Sequence, residues 1–142
     1  MKIAERVLAA GLVAGLAGLV FGLVVAIQVI VEDGLTARGE AFGPLAAGVA
    51  GFPAGIVFFG IPLLAIVSLT PAAREPWRAV PRLCAGAIAG LVVACGICLL
   101  PLGEWYSFMD YRGPGPLPAI ALSTALVSLG AYISARAPPN NV

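Results

Sequence analysis

The residues best suited to chemistry in this chain are three cysteines, Cys84, Cys95 and Cys98. The last two form Cys95-Gly-Ile-Cys98, a spacing used by thiol–disulfide pairs and by some metal sites. On a helix, eleven residues bring the chain round to within about 20° of its starting direction, so all three would lie near one face. Cys84 would stand about 16 Å of helix rise from Cys95, too far for a disulfide. No Lys, Arg or His stands beside Cys95 and Cys98 in their segment to favour a thiolate. Cysteine in such a setting otherwise packs as a small apolar residue. The chain has no histidine, which excludes His-ligated haem, Ser-His-Asp catalysis and most zinc sites. Neither a cofactor nor a metal is expected, and the sequence reads as non-enzymatic.

A CxxC motif near the outer end of a four-span chain resembles, in topology and in that one motif, quinone-linked thiol oxidases such as disulfide bond protein B. The resemblance implies a redox role for Cys95 and Cys98. Those enzymes also relay oxidation through a second, loop-borne cysteine pair, and this sequence has none. The small multidrug exporters depend on a carboxylate in the first span, which is likewise missing here.

The elements that must position these residues follow from composition. Hydrophobic residues make up 61% of the 142 residues and charged residues 11%, against about 25% charged in soluble domains. So short a water-soluble chain could not hide that much apolar surface. Four apolar segments, roughly 7–31, 44–70, 83–100 and 117–134, approach or exceed the 20 or so residues needed to cross a bilayer. None contains an Asp, Glu, Lys, Arg or His. The expected fold is a single all-α domain over 1–142, a bundle of four transmembrane helices. The first apolar stretch exceeds a signal-peptide core of about 7–15 residues and reads as a retained span.

Basic residues near spans are held on the cytoplasmic side. Lys2, Arg6, Arg74, Arg78, Arg82 and Arg136 fall on the side of both termini and the middle connection; Arg38 and Arg112 fall opposite. The expected layout therefore has both ends in the cytoplasm. The preference for Arg over Lys, with abundant Ala, Gly and Pro, points to a GC-rich bacterial genome and so to a bacterial inner membrane. The net charge of +1 gives no reason to expect nucleic acid as a partner.

Glycine spacing is the most informative pattern. Gly11, Gly15, Gly18 and Gly22 fall within a strip roughly 60° wide on a helix. Gly48, Gly51 and Gly55 form a similar strip in the second segment, and Gly86 and Gly90, continued by Ala94, one in the third. Small residues let membrane helices approach closely. These faces either pack the four helices of one chain or, for the first segment's strip, make an oligomer or receive a partner. Pro53 and Pro62 lie inside the second segment and predict kinks, because each removes a helical hydrogen bond. Kinked spans can mark a transporter's binding site, or merely accommodate an over-long helix. Gln28, the strongest polar residue within a segment, either bonds across helices or sits at the outer interface.

In the connections, Pro71, Pro76 and Pro81 predict an irregular inner loop. The second outer loop carries Trp105, Tyr106, Phe108, Tyr111 and Arg112, a composition suited to interfacial anchoring or to docking a partner. Ala10–Leu16 matches Ala85–Leu91 at five of seven positions, and Gly43-Pro-Leu recurs at Gly115, hinting at two related hairpins. The expected partners are the lipid bilayer and other membrane subunits or copies of the chain. The leading functional expectation is an accessory subunit or homo-oligomer acting through helix contacts. A small transporter or transport-system subunit is the alternative, and thiol–disulfide exchange stands third.

Overall fold

A computed structural model describes residues 3–34, 39–69, 75–99 and 115–135. The described residues are almost wholly helical and contain no strand. The elements are α1 (Ile3–Glu32), α2 (Phe42–Val49), α3 (Gly51–Phe58), α4 (Gly60–Leu69), a 3-10 turn (Pro76–Ala79), α5 (Val80–Leu99) and α6 (Leu117–Ala135). Four helical stretches among them are long and apolar enough to cross a membrane, α2–α4 counting as one. These agree with the four sequence segments to within a few residues at most ends.

The second span is segmented at Ala50 and Phe59, each three residues before a proline. A proline ring crowds the carbonyl four residues back and offers it no N–H, so Pro53 and Pro62 disturb the helix at these joints. Both joints keep helical backbone angles (φ −62°, ψ −13° at Ala50; φ −89°, ψ −24° at Phe59). Backbone bonds bridge them: Ala50 N donates to the Ala46 carbonyl at 3.1 Å and Leu63 N to that of Phe59 at 3.2 Å. The span is therefore segmented without coming apart.

From Glu75 onward the inner connection is more regular than its prolines suggest, for Pro76 opens the 3-10 turn and Pro81 lies in the first turn of α5, while Pro71 lies outside the described residues. A proline there costs little, since the first N–H groups of a helix have no intrahelical acceptor. Arg78 closes the turn, its Nε 3.0 Å from Glu75 and its guanidinium 5.0 Å from the centre of the Trp77 ring.

α1 occupies the middle of the bundle. It packs against α2–α4 on one side and α6 on another, while α5 packs chiefly on α6. Its periodicity explains this place. Ala10, Ala14, Ala17, Phe21, Val25 and Val29 form a buried stripe next to the glycine strip, so two adjoining faces can each receive a helix. Phe59, Leu63, Val67, Ala94, Ala119, Val127 and Ala131 complete the core. Large apolar side chains such as Leu8, Leu12, Ile61, Ile88, Val92 and Ile133 point outward, which suits a bundle solvated by lipid tails.

Candidate functional site

The glycines of the first and second spans meet. A Cβ placed on Gly18 would strike the Gly51 carbonyl oxygen and the Gly55 Cα, with Gly55 N at 2.7 Å. One on Gly22 would strike the Gly48 carbonyl, and one on Gly15 would come within 2.7 Å of the Phe52 ring. The reverse holds too: Cβ atoms on Gly51 and Gly55 would run into the backbone of Gly18 and Ala14, and one on Gly48 would stand 2.9 Å from the Gly22 carbonyl. Most of these collisions are with backbone, which no rotamer change relieves. At Gly11 nothing lies within 4 Å. Past Phe59 the second span joins the alanine stripe of α1 in the core, with Gly60 facing the Ala14 methyl group at 3.6 Å.

A second seam joins α5 to α6. Arg82, Gly86, Gly90 and Ala94 recur every four residues and are buried. A Cβ on Gly86 would stand 2.8 Å from that of Ala131 and 3.0 Å from the Ser128 Cα, and one on Gly90 would stand 3.0 Å from the Thr124 Cα. Ser128 Oγ donates across the seam to the Leu83 carbonyl at 2.8 Å. Gly130 of α6 lies against Val13 of α1, which joins the two seams into one bundle. Ser123 instead donates to the Ala119 carbonyl of its own helix at 2.8 Å.

Gln28 reaches beyond its own helix, its Nε2 donating to the Gly115 carbonyl at 3.0 Å. Gly115 has φ of +64°, a conformation that glycine adopts without the clash a Cβ would bring. The bond ties the end of α1 to the start of α6.

Cys84, Cys95 and Cys98 are free thiols. Cys84 is exposed, and the other two are half-buried, Cys98 against the core. No cluster of three or more His, Cys, Asp or Glu residues suited to a metal occurs among the described residues. Trp105, Tyr106, Phe108, Tyr111 and Arg112 lie outside the described residues.

Sequence reasoning placed every Asp, Glu, Lys and Arg in a connection or a tail, and this needs correction. Glu5 and Arg6 lie in the first turns of α1, and Arg82 in the first turn of α5. Arg82 is only 4% exposed, and its Nη1 donates to the Ser134 carbonyl of α6 at 3.3 Å. Its aliphatic stem lets it continue the small-residue seam while its head meets the end of a neighbouring helix, where carbonyls lack intrahelical donors. The spacing of Arg82 from Gly86, Gly90 and Ala94 carried this signal.

The ends of α1, α4 and α6 enclose a cavity of about 530 Å³. Glu5, Arg6 and Ser134 line its polar part, and Ala9, Ala10, Val13, Leu63, Val67, Gly130 and Ile133 the remainder. Nε of Arg6 is buried and has no hydrogen-bond partner.

Comparison with protein-family models, with curated proteins and with solved structures finds no match.

Proposed function

We propose that this chain is a small polytopic protein of a bacterial inner membrane that acts through helix–helix contacts, as an accessory subunit or as a homo-oligomer. The observation that carries the proposal is the outward face of the second span. Ala46, Ala50, Pro53 and Ala54 are all exposed there, opposite the glycine strip that meets α1. A membrane helix has no need of small residues toward lipid, since tails solvate Leu and Ile as well. Small residues gain their energy when another helix comes close. The first span's Gly15, Gly18 and Gly22 are covered within the chain, so the proposed contact shifts to the second span.

Both termini are placed in the cytoplasm, on the six-to-two excess of basic residues counted above. Transport stands second. The joints at Ala50 and Phe59 favour it, but both are bridged by backbone bonds and no ionisable residue accompanies them.

A tagged chain drawn from its native membrane in mild detergent, with the mass of the isolated species determined, tests the proposal. A defined complex larger than one chain is expected. A lone monomer would refute it.

A further inference from the structure

From the cavity at the ends of α1, α4 and α6 we infer that the chain holds one anionic lipid, its phosphate on Arg6 and one acyl chain in the trough beyond.

The cavity is amphiphilic along its length. Arg6 and Val13, both in its wall, are seven residues apart on α1, about 10 Å of helix rise. At the Arg6 end stand a guanidinium and the Ser134 residue; at the Val13 end the wall is Leu63, Gly130 and aliphatic carbon. Its volume of about 530 Å³ falls within the roughly 300–1,000 Å³ range of small-molecule sites. A wholly polar ion would leave most of this wall without contacts, and a hydrocarbon would leave the Arg6 end unmet.

The charge at the polar end selects the head. The buried Nε of Arg6 lacks an acceptor, and a buried donor on a charged group without one is costly. Arg82 binds the carbonyl of Ser134, a residue of the cavity wall. Glu5 supplies the one carboxylate in the wall and Arg6 the one cation, with Arg82 behind Ser134 as a second cation outside the wall. A phosphodiester brings a negative charge and the acceptor oxygen that the Arg6 Nε lacks. Basic pockets between spans at the headgroup level have the chemistry to take anionic headgroups, and the bilayer supplies the tail at the same depth.

The test uses the full chain, purified and delipidated in a neutral detergent. Phosphatidylglycerol and phosphatidylcholine with identical acyl chains are added in turn, and bound lipid is counted by native mass spectrometry alongside the melting temperature. One retained phosphatidylglycerol per chain is expected, with a rise in melting temperature that phosphatidylcholine does not give. Arg6→Gln should weaken phosphatidylglycerol binding about tenfold or more, by loss of a charge-assisted bond. Ala9→Phe, which fills the trough from an exposed position beside Arg6 while leaving the Arg6 charge in place, should weaken it as well and remains informative if the first variant folds poorly. Equal retention of the two lipids would overturn the inference, as would undiminished phosphatidylglycerol binding by Ala9→Phe. A full shift with inorganic phosphate alone would reduce the site to an anion site and overturn the lipid assignment.

Discussion

Replacing Gly18 by alanine separates the close helix approach from every other use of a glycine. The added methyl group would enter space held by the Gly51 carbonyl and the Gly55 backbone. Because those atoms are main chain, the only relief is to move α3 away from α1, which loosens the neighbouring contacts at Gly22 and Gly48 as well. Overpacking of this kind costs about 1–3 kcal/mol. Gly11→Ala is the matched control, on the same helix with nothing within 4 Å. Both variants share the gain of roughly 0.5–1 kcal/mol that alanine brings to a helix, so it cancels in the comparison. Gly18→Ala should therefore be less stable than Gly11→Ala by about 1–3 kcal/mol, roughly a 5- to 150-fold shift in the unfolding equilibrium. Titration of the purified protein in mild detergent with sodium dodecyl sulfate, followed by tryptophan fluorescence, would measure it. The folded fraction of Gly18→Ala should keep the wild-type oligomeric size, because the strip it alters faces inward. Coincident unfolding midpoints for the two variants would refute the reasoning.

Three further outcomes are expected. Gly86→Ala should destabilise the α5–α6 seam by about 1–3 kcal/mol in the same assay, since its methyl group meets the Ala131 Cβ at 2.8 Å and the Ser128 Cα at 3.0 Å. Ser128→Ala removes the bond to the Leu83 carbonyl and should cost roughly 0.6 kcal/mol, the average for such bonds between spans; a loss above about 2 kcal/mol would mean that this one bond holds the seam. Cys95→Ser should leave cellular thiol oxidation unchanged, and a measurable fall would restore the redox reading of Cys95 and Cys98.

The four spans were legible because each is a long apolar run, and composition alone decides that the surrounding solvent must be apolar too. The joints at Ala50 and Phe59 were legible through Pro53 and Pro62, because a missing amide acts at a fixed offset along the chain. Which helix a glycine meets was not legible. Gly11 and Gly86 align in the suggested repeat, yet one faces open space and the other packs against Ala131 and Ser128. That difference depends on which helix lies alongside each glycine, which no pattern within α1 or α5 encodes. Arg82 was assigned to a connection because charge marks the ends of spans. Its burial depends on the Ser134 carbonyl, 52 residues away in sequence. The cavity beside Arg6 is further still from sequence reading, since it is lined by residues of three helices, each apolar stretch looking like ordinary core.

The central claim is that the outward face of the second span binds another helix. Its most direct test is to place a benzophenone-bearing amino acid at position 50 and irradiate intact native membranes. Position 88, on the exposed part of α5 beside Val92 and Leu91, serves as a lipid-facing control. The account predicts a discrete cross-linked species of higher mass from position 50, absent from position 88 and lost when Ala46 and Ala54 are both replaced by leucine. Cross-linking to lipid alone at both positions would contradict it.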